Sequence, residues 1–174
     1  EGFLGVATYA HKFNFIDIRE IWTLLTYMFM HGNIMHLIGN MLFLWVFGDN
    51  IEDAMGHGRF LVFYLACGIL AALFHAAVLP VSEVPLIGAS GAVAGVIAAY
   101  LILFPKVRVW ILVLRFVPLK LPVYVVLGSW IVVQFAMPLL GPAGQISWWA
   151  HVGGILAGAV LVLVCKRPGM KILQ

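Results

Sequence analysis

Apolar runs occupy most of this 174-residue chain, and polar clusters interrupt them at spacings close to the thickness of a lipid bilayer. A hydrocarbon core of about 30 Å needs roughly 20 apolar residues in helical form. Five runs meet or approach that length, at about 33–48, 60–79, 88–104, 122–140 and 148–165. The first and third are short, but small polar residues at their ends extend them. Residues 1–20 alternate polar and apolar, include Lys12, Asp17, Arg19 and Glu20, and show no signal-peptide pattern. The stretch 105–121 reads Pro105-Lys106-Val107-Arg108, then an apolar run broken by Arg115, Pro118, Lys120 and Pro122. It is too short and too interrupted to span, since a charge at mid-membrane costs about 2.5–3.5 kcal/mol on insertion scales. The pattern places it at the interface, with Arg115 and Lys120 reaching toward headgroups. No internal repeat is visible, so the expectation is one all-α, polytopic membrane domain over 1–174. Its parts are a loop region at 1–32, a five-span helical core at 33–165 and a tail at 166–174.

Composition narrows the class. The chain is 64% hydrophobic and 10% charged, against about 45–50% and about 25% in an average soluble domain. A mean hydropathy of +1.08 excludes an ordinary soluble domain, which could not cover such a chain with polar groups. Cys67 and Cys165 lie inside apolar runs and read as small hydrophobes; they form neither a disulfide framework nor a zinc-ligand pattern. No metal or other cofactor is implied. The net charge of +3 is spread over loops beside the spans, which orients a membrane protein rather than binding nucleic acid. Eight of the ten Lys and Arg lie beyond the ends of spans one, three and five: Arg59, Lys106, Arg108, Arg115, Lys120, Lys166, Arg167 and Lys171. Only Lys12 and Arg19 lie on the other side. The positive-inside rule then puts the C-terminus in the cytoplasm and residues 1–32 outside.

Polar residues inside spans carry the chemistry. An ionisable or strongly polar group at membrane depth is a functional hypothesis by default. Span one holds His36 and Asn40, four apart and so on one helix face. Span three opens with Gly88-Ala89-Ser90-Gly91 and span five with Trp148-Trp149-Ala150-His151. At 1.5 Å per residue, Ser90 lies roughly 3–5 Å below the outer edge, His151 and His36 about 5 Å and Asn40 about 10 Å. Three helices running in one direction thus offer a serine, a histidine and a His/Asn pair at one level. Gly91 and Gly95 on one helix, and Gly154 and Gly158 on the other, form small-x-x-x-small patterns that let backbones approach closely. Close approach is what a direct serine–histidine hydrogen bond requires. His11 and His57 read as solvated loop residues and His75 as a span-end residue. His31, just before span one, is open to a structural or a catalytic role.

These motifs resemble the rhomboid family of intramembrane serine proteases, in its bacterial form. The matching stretches are His31-x4-His36-x3-Asn40, Gly48-Asp49-Asn50-x-Glu52-Asp53-x2-Gly56, Gly88-Ala89-Ser90-Gly91, and Ala150-His151-x2-Gly154 with Gly158. They run through residues 22–165 in the family's order. The resemblance implies Ser90 as nucleophile and His151 as general base. It implies an oxyanion hole from His36, Asn40 and the Ser90 backbone N–H. His31 would be a structural hydrogen-bonding residue near a water-filled mouth, and Gly88 and Gly91 would shape the serine turn. The helix at about 122–140 looks like the lateral gate. The partners would be transmembrane-helix proteins and the lipid bilayer, and the location a bacterial cytoplasmic membrane. Three features depart from the family. Its core has six helices, the first of which is not in this chain. Some relatives carry Trp-Arg where Trp22-Thr23 stands here. Some place a tyrosine one turn after the serine, packed on the histidine, where this chain has Ala94.

No Asp or Glu lies near His151 in sequence, so the expected machinery is a dyad whose imidazole is held by packing. Three rival readings were weighed. An α/β-hydrolase elbow needs Gly-x-Ser-x-Gly after a strand, whereas the fifth position here is Ala92 and no strand precedes it. A catalytically impaired relative that binds or escorts membrane proteins is expected to lack the serine or histidine. A transporter or channel predicts polar residues through the inner half, where Gln134 is the main exception in spans two and four.

Overall fold

The computed structural model describes residues 11–12, 18–82, 85–113, 117–140 and 147–173. Its helices are α1 (Ile18–Thr26), α2 (Ile34–Met55), α3 (His57–Val78), α4 (Ser90–Leu103), α5 (Val123–Leu140) and α6 (Trp148–Cys165). A 3-10 turn, Tyr27–Phe29, follows α1. Among the described residues, α2, α3, α5 and α6 are long and apolar enough to cross a membrane. The fifth apolar helix, α4, has only 14 residues, about 21 Å at 1.5 Å each. The architecture is a multi-pass helical membrane bundle.

α4 is the centre of the bundle. Every residue from Gly91 to Tyr100 is buried, as is Leu103, and α2, α3, α5 and α6 all pack against it. The run of small residues Gly91, Ala92, Ala94, Gly95, Ala98 and Ala99 makes this possible, because thin side chains let four neighbours close around one helix. The tightest approach is to α6. A Cβ placed on Gly154 would strike the Gly91 carbonyl, and one on Gly158 the backbone of Gly95. Large apolar side chains such as Trp45, Leu139 and Val164 point outward instead, as a lipid solvent permits.

Two regions differ from the sequence expectation. Span one does not stop near residue 48, for α2 continues through Asp49, Asn50, Glu52 and Asp53 to Met55. Its terminator is Gly56, at φ +87°, a positive-φ conformation that glycine adopts without strain. The polar residues occupy the last two turns and do not end the helix. Segment 105–121 forms an antiparallel hairpin, β3 (Arg108–Val113) with β4 (Val117–Pro122). Trp110 faces Lys120 across it, with the ammonium 5.8 Å from the indole centre. Arg115 lies outside the described residues. A second small pairing joins β1 (His11–Lys12) to β2 (Val81–Ser82).

The residues after α6 fold back under the bundle. The Arg167 N–H donates to the Ala54 carbonyl at 2.9 Å and the Leu173 N–H to the Ile102 carbonyl at 2.9 Å. The C-terminal ends of α2, α4 and α6 therefore share one end of the molecule, together with the β3–β4 hairpin. The N-terminal ends of α2, α4 and α6 share the other.

Candidate active site

Ser90 is the first residue of α4, so its backbone N–H has no intrahelical acceptor and sits at the positive end of the helix dipole. The chain reaches it through Gly88, at φ +106°, a conformation that L side chains rarely adopt. The space is also closed: a Cβ at Gly88 would come within 2.6 Å of the His36 ring and 3.5 Å of Asn40 Nδ2. The Gly88 N–H donates to the Tyr27 carbonyl at 3.0 Å. Tyr27 is itself anchored by its hydroxyl, which donates to the Gly68 carbonyl at 2.8 Å. The turn after α1 thus holds the loop that sets the serine.

His151 lies in the first turn of α6, four residues after the Ser147 carbonyl that its N–H contacts at 3.3 Å. Its Nε2 is 2.8 Å from Ser90 Oγ, a distance that the glycine contact between α4 and α6 makes possible. Its Nδ1 is 2.7 Å from Gln134 Oε1. An amide oxygen only accepts, so this contact favours the tautomer with the proton on Nδ1, which leaves Nε2 as an acceptor for the serine hydroxyl. Two indoles flank the ring: Trp130 at 6.2 Å with the planes 33° apart, and Trp148 at 6.1 Å in an edge-on arrangement. The expectation that packing alone holds the imidazole is corrected here. With Ala94 in place of a stacking tyrosine, α5 contributes Trp130 as a packing surface and Gln134 as a hydrogen-bond acceptor.

His36 and Asn40 come from α2. Asn33 caps that helix, its side chain accepting from the His36 N–H at 2.9 Å, which fixes the first turn where His36 sits. Asn40 is buried, and its Nδ2 has no hydrogen-bond partner among the described residues. A buried amide donor without an acceptor is costly in an apolar bundle. A cavity of about 680 Å³ is lined by His36, Asn40, Ser90 and His151, together with Phe43, Ile97 and Trp130.

The other predicted residues fall as follows. His31 packs its ring edge-on against His36, with centroids 5.1 Å apart, and its buried Nε2 finds no partner among the described residues. Gly88 shapes the serine turn. Gly91 lies within α4 and acts by close packing: a Cβ there would come within 2.7 Å of Ala71 Cβ. His75 is in the last turn of α3, buried, with Nδ1 unpaired among the described residues. His57 is exposed and meets Glu52 at 2.5 Å. Two residues were missed. Gln134 was visible as the one amide in α5 but had no assigned partner. Tyr27 gave no signal, because its role depends on a long-range contact to α3.

Comparison with known proteins bears on the family. The family model for the Rhomboid domain matches residues 18–168. The chain is 34% identical over 158 residues to the rhomboid protease GluP of Bacillus subtilis, which covers 91% of this chain and 29% of that protein. It is 30% identical to Rhomboid-like protein 11, chloroplastic, of Arabidopsis thaliana, over 98% of this chain and 65% of that one. It is 29% identical to Rhomboid protein 1, mitochondrial, of Saccharomyces cerevisiae, over 76% and 38%. The chain thus spans between about a third and two thirds of the length of these relatives. Helical bundle, glycine-packed serine helix and matching domain model lead to one conclusion: this chain belongs to the rhomboid family.

Proposed function

We propose that the chain is an intramembrane serine endopeptidase that cleaves transmembrane-helix proteins through a Ser90–His151 dyad. The observation that carries this reading is the 2.8 Å hydrogen bond between Ser90 Oγ and His151 Nε2. His151 takes the hydroxyl proton as Ser90 attacks the scissile carbonyl, and later gives it to the leaving amine. The oxyanion formed by that attack needs donors already in position. Asn40 Nδ2 is buried and unpaired among the described residues, the Ser90 N–H is free of the helix ladder, and the His36 ring lies against the same turn. No metal or cofactor is needed for these steps.

Water and substrate reach the dyad from the end of the bundle where α2, α4 and α6 begin. The shortness of α4 supports this: at about 21 Å it leaves roughly 9 Å of a 30 Å hydrocarbon core unspanned. The charges at the opposite end, among them Arg59, Lys106, Arg108, Lys166 and Arg167, support a cytoplasmic C-terminal tail and an outward-facing site. A substrate helix has its carbonyls hydrogen-bonded, so it must unwind, which Gly or Pro near the cut makes easier. It enters sideways past α5, which begins after Pro122 and contains Pro138.

A serine-directed fluorophosphonate tests the dyad. Labelling is expected in the wild type, lost in Ser90→Ala and at least about a hundredfold slower in His151→Ala, consistent with the size of a base's contribution. A Ser90→Ala chain that still labels or still cleaves a membrane substrate rules the dyad out. Mass spectrometry of the products should place the cut near the outer boundary of the substrate helix; a cut at the cytoplasmic side would invert the proposed orientation.

A further inference from the structure

We propose that Gln134 is a positioning residue for His151, and that α5 must be seated against α6 for Ser90 to be activated; the proposal rests on the dyad reading above. Gln134 is 3% exposed within an 18-residue apolar helix. A buried amide there is costly unless it is hydrogen-bonded, so its placement calls for a partner. The two hydroxyls of the helix are accounted for differently. Ser129 donates to the Val126 carbonyl of its own helix at 3.0 Å, and Tyr124 is exposed. Gln134 instead turns inward, with its Oε1 2.7 Å from His151 Nδ1.

That contact selects the tautomer. An imidazole can serve as base toward Ser90 only if Nε2 is bare, which requires the proton on Nδ1. Gln134 Oε1 accepts that proton's hydrogen bond and so favours the competent form, and it also fixes the rotation of the ring. During the reaction Nδ1–H keeps the same acceptor when the ring becomes positively charged.

The source of this acceptor gives the arrangement a further property. α5 touches the bundle along one stripe, with Val123, Leu127 and Gln134 buried and Trp130 and Ile131 packed beside them. In the half of α5 nearest the site the stripe includes Trp130 and Gln134, and both lie against His151. Outward displacement of α5 removes the Trp130 packing surface and the acceptor together. Such displacement is what sideways access by a substrate helix requires. The base is therefore fully oriented only after α5 has returned, so hydrolysis follows closure.

Gln134→Met keeps the side-chain length and removes the acceptor; Gln134→Glu keeps an acceptor oxygen. In detergent-solubilised full chain, Gln134→Met is expected to slow fluorophosphonate labelling and reduce kcat by about 10–100-fold, as loss of a tautomer-setting hydrogen bond implies. KM should stay within about threefold. Gln134→Glu should recover labelling to within about fivefold of wild type by supplying the same acceptor. Thermal unfolding reports any purely structural role. Equal loss of labelling in both variants, in step with lowered stability, overturns the positioning role, and so does wild-type labelling by Gln134→Met. A wild-type chain that never labels overturns the dyad reading and this proposal together; a wild type that labels beside an unaffected Gln134→Met overturns only this one.

Discussion

Gly154→Ala is the sharpest test of how the site is held together. The added Cβ would lie 2.8 Å from the Gly91 carbonyl carbon, nearer still to its oxygen, and 3.3 Å from Ala94 Cβ. Ordinary contact begins near 3.4 Å, so α4 and α6 must part by about 1.5 Å at this point, and the obstacle is backbone that cannot change rotamer. Overpacking of this kind costs about 1–3 kcal/mol, and an unyielding carbonyl argues for the upper end. For a chain of this size that corresponds to a fall in Tm of about 6–12 °C. The same displacement would stretch the 2.8 Å contact between Ser90 Oγ and His151 Nε2 to about 4 Å or more, beyond hydrogen-bond range. Labelling of Ser90 should therefore fall even at temperatures where the variant is folded. Gly128→Ala is the internal control, because a Cβ there meets nothing within 4 Å; it should be neutral or stabilising by up to about 1 kcal/mol. Thermal unfolding in detergent and fluorophosphonate kinetics are the assays. A Gly154→Ala chain with unchanged Tm and wild-type labelling would refute the claim that glycine contact sets the helix separation.

Two further outcomes follow from the α2 side of the cavity. Asn40→Ala should lower kcat by about 100–1000-fold, the range for losing one oxyanion donor, while KM changes little; steady-state kinetics showing unchanged turnover with a raised KM would remove it from that role. Asn33→Ala removes the cap that accepts from the His36 N–H, so Tm should fall by about 2–4 °C, equivalent to the roughly 1 kcal/mol of a lost N-cap. An unchanged melting curve would mean that the first turn of α2 is held by other contacts.

The spans were legible because bilayer solvation imposes a coarse and strong pattern. The expected 148–165 and 122–140 agree with α6 and α5 to within a residue. The end of α2 was not legible, since polarity at Asp49 to Asp53 marks departure from hydrocarbon rather than the end of the helix, and the cap at Gly56 is a backbone event. The hairpin at 108–122 was hidden by prolines and charges that resemble a loop until the strands are paired. The convergence of Ser90, His151, His36 and Asn40 could be read from depth alone, because three parallel helices share a level by arithmetic. Gln134 and Tyr27 could not be placed. Each acts through a contact whose partner lies far away in sequence, which helix periodicity does not reveal.

The enclosure of α4 also bears on how lipid composition reaches the site. Hydrophobic mismatch acts on helices that touch acyl chains, by tilt or local deformation of the bilayer. α2 and α3, each of 22 residues, are about 33 Å long and seat the molecule in the membrane; α4 is sheathed on all sides by protein. Its depth is therefore inherited from the surrounding frame rather than from its own short apolar length. In thick or thin bilayers the serine should keep its height relative to α2 and α6, while the thinly anchored α5 takes up the strain. Membrane thickness would then tune how often Trp130 and Gln134 lie against His151 and leave Ser90 where it is.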